Sequence, residues 1–273
     1  MLIKAKAKIN IGLDILSKRE DNYHNIKTIM KEIDLYDELD FETADSSSII
    51  TRARDIPLGE DNLIFKAKGA LEGFTGRKLG FTVKLKKNIP VGAGLAGGSA
   101  DAAATMKALN ELYSLDLSLE VLQAIGKTVG ADVPFCLQGG CMLAEGIGES
   151  LTPIEYNLKD SIILVFPNIE ISTKDVYAGI VREEYGRVDI DGIIKSLGEG
   201  SFRTKERINI MESYVFQVEP KVGIIKERLY HMGARAAFMS GSGSSVVGFF
   251  QEDYDFSELE DEFKGMGFRV FVF

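Results

Sequence analysis

Apolar and polar residues alternate along residues 2–16 and again along 29–42, the period of a half-buried strand; the second run is crossed by the acidic stretch Asp34-Leu-Tyr-Asp-Glu38. Asp61-Asn62 can cap a helix through Ile64 to Leu71, which Gly73 and Gly76 end before an alternating strand over 81–87. Ser99 is placed to cap a helix over 102–113, and Ser118 another over 119–129 that Gly130 ends. After Pro134 the pattern predicts an apolar strand and a hairpin near Gly146 and Gly148, then a buried strand over 162–166. Thr173 begins a helix, Pro220 suits the first turn of a helix ending at Gly233, and Ser257-x-x-Glu260 reads as a capping box before a last helix. The chain closes on the alternating run 268–273.

Strands grouped before helices, without regular βαβ alternation, make this an α+β chain. A soft boundary near residue 155 divides it into 1–155 and 156–273, with no repeat and no linker to mark the cut. The 273 residues are 45% hydrophobic and 27% charged, enough for a sizeable core. A net charge of −9 gives no global support to binding nucleic acid or an anionic membrane, so an anionic ligand must be held locally. Cys136 and Cys141, with two histidines in the whole chain, assemble no zinc pattern and are expected to be reduced core residues. The N-terminus is too charged and alternating for a signal peptide, and no apolar run reaches the ~18 residues of a membrane span; a cytoplasmic, non-membrane protein is expected.

The densest chemistry lies in Pro90-Val-Gly-Ala-Gly-Leu-Ala-Gly-Gly-Ser-Ala-Asp101, four glycines and a serine between a strand and a helix. Glycines let consecutive N–H groups converge, and a helix N-terminus adds about half a positive charge, so the segment predicts a phosphate site. Gly92-x-Gly94-x-x-Gly97 formally matches the dinucleotide-binding and protein-kinase patterns. A Rossmann first strand is buried on both faces, whereas 81–87 has one polar face; the run also lacks the Gly-Lys-Ser/Thr ending of a Walker A loop and the companion motifs of protein kinases. A phosphate loop of another kind remains, beside a plain structural turn.

Lys8 and Asn10 share one face of the first strand, with Ile9 and Ile11 on the other; such a pair is either solvated or functional. Asp132 sits in Gly130-Ala-Asp-Val-Pro134, where Pro134 is expected to hold Val133 extended and the turn to present the carboxylate. Phosphoryl transfer needs a carboxylate for the acceptor's proton and a cation for the charge, which Asp132 and Lys8 could supply. A second loop, Ser240-Gly-Ser-Gly-Ser-Ser245, reads as a turn or a site.

Ala7-Lys-Ile-Asn10, Asp21-Asn-Tyr-His24, the 90–99 loop, Gly130-Ala-Asp-Val-Pro134 and Met239-Ser-Gly-Ser-Gly-Ser244 occur in the order and spacing of one family. The chain resembles the GHMP kinases over essentially its full length, and within them those acting on a cytidine-bearing polyol of the non-mevalonate isoprenoid pathway. The resemblance implies a two-domain fold of mixed and antiparallel sheets flanked by helices, the N-terminal part binding ATP and carrying catalysis, the C-terminal part contributing to substrate binding. It implies ATP and magnesium, and phosphorylation of the 2-hydroxyl of 4-diphosphocytidyl-2-C-methyl-D-erythritol, a small-molecule substrate, by a monomer or weak homodimer.

By the same resemblance Asp132 is the general base and Lys8 its partner, and Pro90, Val91, Gly92, Ala93, Gly94, Leu95, Ala96, Gly97, Gly98, Ser99 and Ala100 cradle the ATP phosphates. Asn62 and Lys87 fall at positions near the adenosine. Asn10 helps hold the erythritol hydroxyls, Tyr23 and Tyr177 stack on the cytosine, and His24 contacts its edge. Without the resemblance Tyr177 would read as core. The chain departs from relatives at Ala96, which needs negative φ or strain, and at Ala100, which leaves Ser99 as the loop's side-chain phosphate or magnesium contact. Asp101 favours the helix dipole but repels phosphate, so magnesium or Lys87 is expected to compensate. A homoserine- or mevalonate-type kinase, a non-catalytic nucleotide-binding regulator and a dinucleotide-dependent oxidoreductase remain as alternatives.

Overall fold

The computed structural model describes residues 1–273. Two compact units emerge, neither contiguous in sequence: one comprises Met1–Lys8, Glu32–Val91 and Ala96–Gly140, the other Ile9–Lys31, Gly92–Leu95 and Cys141–Phe273. A cut near residue 155 would fall inside the second of these segments sets. Two long strands account for the interleaving: β1 (Leu2–Lys18) and β2 (His24–Thr43) pair with each other and each contributes to both units.

In the first unit, β3 (Ser48–Thr51) lies parallel to β4 (Phe81–Lys86), and β4 runs antiparallel to the end of β2, from Glu38↔Lys86 to Thr43↔Phe81. The alternation of β4 is borne out: Phe81, Val83 and Leu85 are buried while Lys84 and Lys86 are exposed. Helices α1 (Leu63–Thr75), α2 (Gly97–Leu112), α3 (Leu119–Val129) and α4 (Val133–Gln138) pack on one another. Asn62 caps α1 as expected, its Oδ1 accepting from Ile64 N at 2.9 Å; Gly73 lies inside that helix, and Gly76 ends it at φ 66°. Alanines at 100, 102, 103, 104 and 108 bury almost completely, so α2 runs through the middle of the unit.

Two expected boundaries move. Helix α2 starts at Gly97 rather than beyond Ser99, because Ala96 takes a left-handed φ of 57° and its carbonyl accepts from Ala100 N at 2.9 Å. Pro134 does not open a strand: it occupies the first turn of α4, where a missing N–H removes no helical bond, and the Asp132 carbonyl accepts from Cys136 N at 3.0 Å.

In the second unit, residues 26–31 of β2 run antiparallel to β5 (Cys141–Gly146), which pairs with β6 (Ser150–Pro153). An all-antiparallel sheet of order β10-β7-β9-β8 joins β7 (Ser161–Phe166), β8 (Ala236–Met239), β9 (Val246–Phe250) and β10 (Arg269–Val272). The helices here are α5 (Thr173–Gly179), α6 (Ile190–Gly198), α7 (Glu212–Val218), α8 (Pro220–His231) and α9 (Ser257–Gly265). Their core joins Leu13, Ile15 and Ile26 to Ile163, Val165, Val222, Leu229, Val246 and Phe263. The capping box at Ser257 does not form: Ser257 Oγ donates to Asp255 Oδ1 at 2.6 Å, and Glu260 pairs with Lys264. No helix is long and apolar enough to cross a membrane.

Candidate active site

In the first unit, the strand carries Lys8 into the interior, where it is 5% exposed, and its Nζ stands 3.5 Å from Asp132 Oδ2. A buried ammonium needs an opposite charge, and Asp132 provides it while its own carboxylate stays 29% exposed. Asp132 is the residue before α4, so its position is fixed by the turn that starts that helix. The first turn of α2 lies close by: a Cβ built on Gly130 would come 3.7 Å from Ser99 Oγ. Gly97, Gly98 and Ser99 belong to that first turn, whose N–H groups have no preceding helical carbonyls to bond. A carboxylate paired to an ammonium thus lies near a helix N-terminus suited to anions.

Beneath the same helix Lys87 is nearly buried between two carboxylates, Asp37, which it contacts very closely, and Asp101, at 2.7 Å. Lys87 pairs with Asp101, as expected, but shares its single charge with Asp37. Burial works against the Lys87 charge, but Asp101 and Asp37 outweigh it and raise its pKa above the usual lysine value. Burial pushes Asp101 up to about 7 despite Lys87, and its Oδ1 has no hydrogen-bond partner. Asp37 Oδ1 also accepts from Asn88 N at 2.6 Å and Ile89 N at 2.9 Å, fixing the chain that leads to Pro90. Asn62 is committed to its helix, its Nδ2 donating to Pro57 O at 2.7 Å.

In the second unit, Gly92–Leu95 meets the second serine-glycine loop. Ser240 is fully buried; its Oγ accepts from Asn10 N at 3.2 Å and donates to Gly94 O at 3.0 Å. Gly94 has φ 76°, and a Cβ there would fall 2.1 Å from Ser240 O, so only glycine fits this approach. Asn209 holds the loop from behind, Nδ2 donating to Met239 O at 2.7 Å and Gly241 O at 2.8 Å. Glu212 accepts from Met239 N at 2.9 Å and pairs with buried Lys226 at 2.7 Å. Asn10 is 2% exposed, and its Nδ2 donates to Thr28 Oγ1 at 2.9 Å. Neither Lys8 nor Asn10 is a solvated edge residue.

The aromatic group also gathers in this unit. His24 stacks on Tyr177 with centroids 4.9 Å apart at 16°, and Tyr185 meets the imidazole edge-on at 6.2 Å and 84°. Tyr23 is 59% exposed. Burial, with Lys18 nearby, lowers the His24 pKa below its usual value, so the ring is neutral near pH 7 and carries one donor and one acceptor. Sequence reasoning missed Asp37, Asn209 and Tyr185, which lie in no recognisable motif; the serine-glycine pattern did flag Ser240, without deciding between turn and site. Both cysteines are free thiols, and burial pushes the Cys136 thiol far up.

Comparison with known proteins gives the family. The pattern of the GHMP kinases N terminal domain matches residues 62–140, and that of the GHMP kinases C terminal matches 189–267. A 4-diphosphocytidyl-2-C-methyl-D-erythritol kinase of Geobacillus sp. (strain WCH70) is 38% identical over 276 residues, covering 100% of this chain and 96% of the relative. The enzyme of that name from Thermoanaerobacter pseudethanolicus (strain ATCC 33223 / 39E) is 43% identical over 258 residues, 92% of this chain and 87% of its own. A crystal structure of 4-(cytidine 5'-diphospho)-2C-methyl-D-erythritol kinase superposes with a TM-score of 0.84 at 32% identity, covering 100% of this chain and 98% of the other. Similarity of this extent in sequence and fold means that the chain belongs to the GHMP kinases, in the family of 4-diphosphocytidyl-2-C-methyl-D-erythritol kinases.

Proposed function

We propose that the chain transfers the γ-phosphoryl group of ATP to the 2-hydroxyl of 4-diphosphocytidyl-2-C-methyl-D-erythritol, with Asp132 as general base. The observation that carries this reading is the Lys8–Asp132 pair, at 3.5 Å, next to the first turn of α2. Asp132 accepts the proton of the 2-hydroxyl as that oxygen bonds to the γ-phosphorus and the bond to the β-phosphate oxygen breaks, releasing ADP. Lys8 orients the carboxylate and offsets charge near the reacting oxygens. The N–H groups along 90–100 take the ATP phosphates, with Asn62 and Lys87 on the adenosine side, while Asn10 holds the erythritol hydroxyls and Tyr23, His24 and Tyr177 take the cytosine.

Magnesium fits this donor set. The side chains gather no group of three or more His, Cys, Asp or Glu residues that could hold a metal on their own. Magnesium keeps several waters and binds through substrate phosphates and one or two protein oxygens, for which Ser99 Oγ is the hydroxyl available in the loop. When bound it neutralises phosphate charge; the proton transfer remains the work of Asp132.

The test is an ADP-release assay offering the diphosphocytidyl substrate beside homoserine and mevalonate. Turnover is expected with the cytidine compound; turnover with either of the others instead would replace the proposed acceptor. Asp132→Asn is expected to lower kcat by on the order of 10²–10⁴-fold with KM for ATP nearly unchanged. Near-normal kcat would remove Asp132 from the mechanism.

A further inference from the structure

We propose that Tyr185, tethered by Asp14, is a positioning residue that fixes the orientation of the His24 ring and so sets how tightly the cytidine end of the substrate is held. This rests on the reading of His24 as the residue that contacts the base edge. His24 is touched by two rings in different ways, face-on by Tyr177 at 4.9 Å and edge-on by Tyr185 at 6.2 Å and 84°. A stacked partner restrains the tilt of the imidazole about its Cβ–Cγ bond but tolerates sliding across the face; a second ring set nearly perpendicular at its edge limits that sliding. An imidazole that reads a base must present its nitrogens in one direction, so the perpendicular ring matters for recognition as well as packing.

What holds Tyr185 is unusual for a residue in a connecting segment. Asp14, in the C-terminal half of β1, is 1% exposed and accepts hydrogen bonds from backbone N–H groups, with the charge of Arg207 also acting on it. Its Oδ1 accepts from Ile15 N at 2.8 Å and Gly186 N at 3.2 Å, and its Oδ2 from Val188 N at 2.9 Å. Gly186 N also reaches Ile15 O at 3.1 Å. A buried carboxylate bonded to Gly186, next to Tyr185, and to Val188 pins the segment that follows the tyrosine, because charge-assisted bonds are stronger than neutral ones. The phenol ring packs against the core of the same unit and meets His24 edge-on. Burial raises the Asp14 pKa, and the three N–H groups work in the opposite direction.

The experiment compares Tyr185→Ala and Tyr185→Phe in the full chain. The alanine variant is expected to raise KM for the diphosphocytidyl substrate roughly 3- to 10-fold, the scale of one lost aromatic contact, with kcat and KM for ATP unchanged. Phenylalanine, which keeps the ring edge, is expected to restore the original KM. A direct readout accompanies the kinetics: the chain has two histidines, so the His24 ring proton can be followed by NMR, and its midpoint is expected to rise toward the ordinary value in the alanine variant as the ring is exposed. Lys18, Tyr177 and Tyr185 are the groups around that ring. If the alanine variant does not fold, Tyr185→Leu keeps apolar bulk without a ring edge and carries the same expectation. An unmoved His24 midpoint with an unmoved KM, or a phenylalanine variant as impaired as the alanine one, overturns the proposal. His24→Ala is measured alongside: an unchanged KM there overturns the base-reading role and this proposal with it, and the silent variant tells the two failures apart.

Discussion

Two carboxylates share one ammonium at Asp37, Lys87 and Asp101, so one negative charge in this buried group lacks a counter-charge. Asp101 absorbs that imbalance, its pKa pushed by burial to about 7 from an ordinary 3.8. Between those two values the folded chain keeps a proton that the unfolded chain has released, so stability falls as pH rises through the window. Asp101→Asn removes the titration and leaves Lys87 paired with Asp37. Melting temperature measured from pH 4 to 8 is therefore expected to fall more steeply for the natural chain than for the asparagine variant, the gap opening as pH rises; parallel profiles would place the proton elsewhere. At this scale Lys8 and Asp132 could be singled out as candidates, because a lysine on a strand and an aspartate before a helix occupy recognisable motifs. Their meeting could not be read, since a 3.5 Å contact between residues 8 and 132 depends on tertiary packing. Ala96 shows the same limit: the sequence posed a choice between negative φ and strain, and the structure takes the left-handed conformation at 57°.

Some elements bounded by capping residues were read correctly, whereas the helix expected from Ser99 begins earlier and the capping box at Ser257 does not form. Asn62, Ser118 and Pro220 sit at or just inside their helix starts. Helix α4 was hidden because proline disfavours helix for the residue before it, yet Val133 is drawn into the first turn by its N–H bond to Gly130 O at 3.1 Å. The serine-glycine loop after β8 shows how far an element depends on residues outside it. Asn209 sends both protons of its side-chain amide to carbonyls at 239 and 241, and its Oδ1 accepts from Met211 N at 2.9 Å. Asn209→Ala leaves these buried groups unpaired and is expected to cost at least about 1–3 kcal/mol, read as a lower urea midpoint at constant slope. It is also expected to raise KM for ATP, since Ser240 next to that loop's start bonds the Gly94 carbonyl. A variant with unchanged midpoint would show that the loop holds its shape alone.

On the scale of the whole molecule, the class of fold and the kinase assignment were legible, while the division of the chain was not. Hydrophobic patterning reports which residues are buried but not with which neighbours, so a strand such as β1, buried along most of its length, gives no sign that it serves two units. A fragment ending at residue 155 would carry Ile9–Lys31 and Gly92–Leu95 without most of the segment 141–273 that completes their unit. Such a fragment is expected to lack the sharp, dispersed amide spectrum and the cooperative melting of the full chain; a well-dispersed spectrum would establish independent folding. The interleaving has a further consequence during synthesis. The segment carrying Ile9, Ile11, Leu13 and Ile15 is made before Cys141–Phe273, and the unit it belongs to is not finished until Phe273 has been made. At a translation rate of roughly 5–20 residues per second, that strand waits on the order of 10–50 s with its apolar side chains unburied. A strand made well before the rest of its unit is thus among the last to be protected, and the nascent chain is a client for whatever shields apolar segments in the cell that makes it.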